Sequence, residues 1–163
     1  MNRRLFLTTA GAGILTAALA GQVYSASWPW SRSAEIIYTG IVDGVAVGGY
    51  DPVAYFTEGR PVPGDPAITL KKDGVTWRFA SADNRDLFEG DPARYAPRYG
   101  GHCAWAMANG YRAKGDPKNW DIVDGKLYLN YNDSIQGKWR KDPKGFITRA
   151  EPEWDKILKQ AGS

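Results

Sequence analysis

An α+β fold of antiparallel β-hairpins and short helices is what this sequence predicts, on three observations. First, Asp43-Gly44, Asp73-Gly74 and Asp124-Gly125 each separate two runs rich in β-branched and aromatic residues. Asp-Gly supplies the positive φ angles of a two-residue hairpin turn. Second, the last two pairs lead into segments with helix-capping residues and inward aromatics, so hairpins and helices segregate along the chain. Third, a gapless shift of 51 residues lays Asp73-Gly74 on Asp124-Gly125, Trp77 on Tyr128, Phe88 on Trp139, Asp91-Pro92 on Asp142-Pro143 and Tyr95 on Phe146. A hairpin, a short helix and an Asp-Pro stop thus occur twice, an internal pseudo-duplication.

The elements follow in order. Residues 1–20 combine Arg3 and Arg4, a short apolar stretch and Ala18-Leu19-Ala20, the pattern of a cleaved export signal. The run NRRLFL resembles a twin-arginine signal, so an exported or periplasmic location is expected, with no membrane contact after cleavage. Residues 21–37, rich in Ser and Trp, read as an irregular lead-in, and residues 38–163 as a single domain. Its hairpins are EIIYTGIV/VAVGGY, AITLKK/VTWRFA and NWDIV/KLYLNY. Ser81 caps a helix over 82–89 with Asn84, Arg85 and Asp86 outward and Leu87 and Phe88 inward. Asp91-Pro92 starts another turn that Pro97 ends. A short helix begins near Cys103 and stops at Asn109-Gly110. Ser134 or Asp133 caps the next helix, to about residue 141, and a last helix over 151–160 carries Trp154, Ile157 and Leu158 on one stripe.

Composition narrows the function. The chain has 163 residues, 43% of them apolar, with seven Trp, nine Tyr and five Phe, enough for one packed core. Without Arg3 and Arg4, its 21 basic residues become 19 against 18 acidic ones, and no Lys/Arg block stands out. That points away from nucleic acid as a partner. A single cysteine excludes an internal disulfide. The sequence holds no G-x-S-x-G, H-E-x-x-H, phosphate loop or dinucleotide fingerprint.

The segments GGYDPVAYF, WRFASADNRDLFEGDPARYAP and YGGHCAWA together resemble the YHS domain, in particular its exported single-domain bacterial branch of YHS domain-containing (seleno)proteins. The resemblance spans about residues 38–154. It implies a small treble-clef-like fold and a link to metal handling. Metal-binding members of that family carry Cys where this chain has Ala54, Ala80 and Asn84, so their metal site does not transfer. The resemblance also implies that Gly48, Gly49, Tyr50, Asp51 and Tyr55 line a pocket facing Cys103, with Asn84 and Arg85 nearby.

The chemistry-bearing stretch is YGGHCAWAMANGY. His102, Cys103 and Met107 lie within six residues and are the only His, Cys and Met beyond Met1. At the start of a short helix, backbone N–H groups favour a Cys103 thiolate, and a protonated His102 would push the same way. Met107, one turn on, shares the face of Cys103. Thiolate, thioether and imidazole together suit Cu(I) better than Zn, Mg or Ca. Three readings stay open. Cys103, with Met107 and His102, binds a soft metal or a redox partner protein beside an aromatic pocket of Tyr50, Asp51, Tyr55 and Trp105. Alternatively Cys103 is the nucleophile of a thiol redox enzyme. In the third, Cys103 is a small buried hydrophobe, Asp51 shapes a turn, and Met107 and Trp105 fill the core.

Overall fold

A computed structural model describes residues 36–162 of the chain. Among them lie six helices and two antiparallel two-stranded sheets, the α+β class expected. The export signal and nearly all of the lead-in fall outside the described residues. Its last two residues, Ile36 and Ile37, are buried, each in a different core cluster.

After a tight bend at residues 46–49 and a short helix α1 (Ala54–Thr57), β1 (Asp65–Lys72) and β2 (Val75–Phe79) form the first hairpin. Helices α2 (Ala82–Gly90) and α3 (Pro92–Tyr95) follow. A second bend at 98–101 leads to α4 (Ala104–Ala108). The second hairpin, β3 (Asp116–Val123) with β4 (Lys126–Asn130), precedes α5 (Asp133–Trp139) and α6 (Pro143–Ala161). Both hairpins turn on Asp-Gly in the left-handed region, with φ of 54° and 76° at Asp73-Gly74 and 49° and 73° at Asp124-Gly125.

The repeat is more extensive than the 51-residue match. Both hairpins break register at the same place, between Asp65 and Thr69 and between Asp116 and Trp120. Ser81 caps α2 by accepting from the Asn84 N–H, and Asn132 caps α5 by accepting from the Ile135 N–H. Asp91 and Asp142 cap α3 and α6 likewise, so the Asp-Pro pairs are helix starts with proline in the first turn. Upstream the offset becomes 52: Val47, Gly48 and Gly49 hold φ of 54°, 57° and 84°, while Tyr99, Gly100 and Gly101 hold 55°, 60° and 78°. A sequence match at fixed offset misses this pair of bends.

Strand β4 is the shared wall. Leu127 and Leu129 pack into the first core with Val53, Tyr55, Trp77, Phe79 and Phe88. Tyr128, facing the other way, packs into the second with Tyr99, Met107, Trp139 and Trp154. Strict alternation of side chains across a strand sends these neighbours to opposite cores.

Four expectations are corrected. The Asp43-Gly44 hairpin shrinks to one bridge, Val42 to Val45, because the backbone bends again at 46–49. Leu87 is 46% exposed, since the inward line of α2 runs through Asn84 and Phe88, four residues apart. Asn132 caps α5 in place of Ser134 or Asp133. The last helix begins at Pro143, not 151, and runs through Pro152, whose ring lies on the exposed side and removes only one backbone donor.

Candidate functional site

Cys103 follows the second bend and occupies the N-cap of α4. Its Sγ accepts the Ala106 N–H at 3.4 Å, and its thiol donates to Asn130 Oδ1 at 3.7 Å. Asn130 Oδ1 also accepts the Trp105 N–H at 3.1 Å, and its amide donates to Gln136 Oε1 at 2.7 Å. Gln136 in turn donates to the Trp120 carbonyl at 3.0 Å and to the Asp121 carboxylate, which Arg140 grips from outside. The thiol thus ends a polar chain running from a surface ion pair into the core. Sequence reasoning missed Asn130, Gln136 and Asp121. The one available signal was Asn130 falling on the core residue Phe79 in the 51-residue match.

The thiolate expected at Cys103 is not what this environment favours. Cys103 is fully buried, and burial pushes its thiol up; the N–H groups of Ala106, Tyr131 and Trp105 offset this only in part. The three soft side chains have different neighbours. His102 faces the Tyr38 ring at 5.5 Å between centroids. Met107 is fully buried in the second core among Tyr128, Trp139 and Trp154, while Cys103 faces Asn130. Extended backbone at 102 and 103 sends adjacent side chains to opposite sides. Among the described residues, no group of three or more His, Cys, Asp or Glu side chains is gathered as a metal would require.

Asp51 is the better-built polar centre. Fully buried, it accepts N–H groups from Val53 at 2.8 Å and Ala54 at 3.4 Å on Oδ1. Its Oδ2 accepts from the Ala80 N–H at 2.8 Å and the Asn84 amide at 2.7 Å. The turn-shaping role read from the sequence holds, and it extends over 33 residues to Asn84. Asn84 therefore points inward, contrary to expectation, and Arg85 pairs with Asp86 on the surface. Ala54, Ala80 and Asn84, the three positions where the resemblance puts cysteines, meet at this one carboxylate.

The other pocket candidates are occupied with packing. The Tyr55 hydroxyl donates to the Pro117 carbonyl at 2.8 Å, and its ring meets Trp120 edge-on. Tyr50 packs partly buried against the first core. Trp105 is half-buried on α4, with Tyr111 at its edge and the Lys138 ammonium 5.5 Å from its ring centre. In the Gly48–Gly49 segment, a Cβ at Gly48 would meet Ile41 and Pro117. An apolar recess lies elsewhere, lined by Ile37, Trp77, Pro97, Tyr99, Gly100 and Trp154.

Asp51 and Cys103 occupy equivalent places. Each lies two residues beyond a Gly-Gly bend, donates its own N–H to the segment leading into the next strand (Val62 and Ala113 carbonyls, both 2.9 Å), and accepts the N–H three residues on. One repeat fills this capping place with a carboxylate, the other with a thiol.

His102, 7% exposed, has no hydrogen-bond partner at either ring nitrogen. Burial lowers its pKa from 6.5 to about 4; the nearby Ala113 and Ile36 carbonyls favour the charged ring but do not outweigh burial and the Arg112 charge. The sign follows. Below pH 6.5 the unfolded chain takes up a proton that the folded ring refuses, so stability is full above pH 6.5 and falls until about pH 4. The total loss from this group is roughly 3 kcal/mol. Urea unfolding at pH 7 and pH 4.5 measures it, and His102→Phe should flatten the difference because the chain has no other histidine.

No family model, curated protein or solved structure matches the chain.

Proposed function

We propose that this is a non-catalytic, YHS-like interaction module of an exported protein, in which Cys103 is a structural residue. The observation that carries the reading is the setting of that thiol: fully buried, capping α4 and bonded to Asn130. A nucleophile needs an accessible thiolate, and a soft-metal site needs converging donors. Neither need is served by a sealed thiol whose soft neighbours pack against Tyr38 and the second core. The contact surface in this reading is the face carrying Trp105, the exposed Tyr111 and Lys138, an aromatic edge beside an ammonium suited to an acidic partner segment.

Alkylation of the folded protein tests it. Iodoacetamide at pH 8 should modify Cys103 only as fast as the protein unfolds, and at once in urea. Cys103→Ser, which keeps a cap acceptor and a donor toward Asn130, should stay within about 1 kcal/mol of the parent. Cys103→Ala, which leaves the Ala106 N–H unanswered, should lose roughly 2 kcal/mol. Rapid labelling of the native thiol at neutral pH, or Cu(I) held against a chelator by the parent and not by Cys103→Ser, would restore the reactive or metal-binding reading.

A further inference from the structure

Residues 36–38 cross the second bend at very close range. Tyr38 donates its N–H to the Gly100 carbonyl at 2.9 Å. A Cβ at Gly100 would fall 2.1 Å from the Ile36 carbonyl oxygen and 3.2 Å from the Ile37 Cα, so only glycine lets the segment lie this close. Ile36 joins the second core and Ile37 the first, and Ile37 also walls the apolar recess with Trp77, Tyr99 and Trp154. Two residues beyond Gly100, the His102 ring lies against Tyr38 and is buried with both nitrogens unpartnered.

We propose that residues 36–38 form a strap latched by the neutral His102 ring, and that protonating this ring in mildly acidic surroundings releases the strap and opens the apolar recess. The charges around the ring favour release. Arg112, on the returning segment, repels an imidazolium. Lys114, paired across from His102 in the same bridge, has its ammonium over the Tyr131 ring. From the strap come the neutral Tyr38 ring and the Ile36 carbonyl, which favours the charged ring but does not outweigh burial. From the bend, Arg98 lies near Glu151 at 3.9 Å, so that carboxylate is already engaged. Among the described residues, no salt bridge reaches the ring to hold it in place once charged. With no acid beside it among the described residues, a buried imidazolium is stabilised by reaching water, and Tyr38 of the strap lies against the ring.

The test is hydrogen exchange read by NMR on the full-length protein between pH 7 and pH 4. The Tyr38 amide reports the strap, and the lone histidine's Cε1 proton reports the ring. Corrected for intrinsic rates, opening at Tyr38 should rise up to about 300-fold across the range from 6.5 to about 4, the ratio set by the two ring pKa values. Amides of β4, which open only with the whole fold, should stay better protected than the Tyr38 amide at every pH, and the neutral dye Nile red should bind as Tyr38 opens. His102→Phe should abolish both acid responses. Unchanged Tyr38 protection, opening of Tyr38 and β4 together, or the same acid response in His102→Phe would each overturn the latch. Should His102→Phe fail to fold, the parent decides: a histidine titration that does not track Tyr38 exposure overturns it. Cys103 takes no part in these readouts, so the alkylation result for the proposed function stands or falls separately.

Discussion

Replacing Asp51 by alanine is expected to cost on the order of 4 kcal/mol and to leave the protein on the edge of unfolding. The carboxylate answers four donors in a place closed to water, from Val53, Ala54, Ala80 and Asn84. Each donor left bare in such a place costs about 1–3 kcal/mol, and relaxation around the gap recovers part of the sum. Asp51→Asn shares much of the loss, because its new amide N–H₂ would face donors on one side. Chemical unfolding followed by circular dichroism measures both variants against Asp83→Ala, an exposed change expected to stay within about 0.5 kcal/mol. An alanine variant within 1 kcal/mol of the parent would show that Asp51 is not the keystone of the first repeat.

Gly100→Ala should be nearly as damaging, at roughly 3 kcal/mol or more. The new methyl would occupy the space of the Ile36 carbonyl oxygen at 2.1 Å, which is backbone and has no rotamer to change. The φ of 60° adds strain of its own for any residue with a Cβ. Gly125→Ala is the fitting control. It has a φ of 73° but open space around its would-be Cβ, so only the backbone cost of about 1 kcal/mol applies. Thermal unfolding of the two variants separates collision from conformation. Equal losses would mean that the strap moves aside freely. If it does move aside, Gly100→Ala should bind Nile red already at pH 7.

These expectations show which parts of the molecule are written locally. The turns at Asp73-Gly74 and Asp124-Gly125 and the Ser81 cap depend on residues within three positions of one another, and each forms where the sequence puts it. The aromatic pairing of Phe88 with Trp139 likewise survives as two buried helix anchors. What escaped depends on distant partners. Asn84 looks like an outward polar residue until Asp51 meets it from 33 positions away. Leu87 looks inward by hydrophobicity but lies off the line that Asn84 and Phe88 define. The helix start near Cys103 is legible, whereas the burial that keeps its thiol protonated comes from β4, about 27 residues on. His102 carries no local mark of being covered, because the cover is the strap from residues 36–38.

The repeated design bears on how the chain reaches this state. In each half a tight hairpin is followed at once by a helix that packs on it, and the buried acceptors reach partners about thirty residues away. The bond from Tyr55 to Pro117, which ties the halves together, spans 62 residues. Closing short loops is entropically cheaper than closing long ones, and β4 completes both interiors only when the halves dock. Because Leu127 and Leu129 complete the core of the first half, damage to β4 reaches both halves at once.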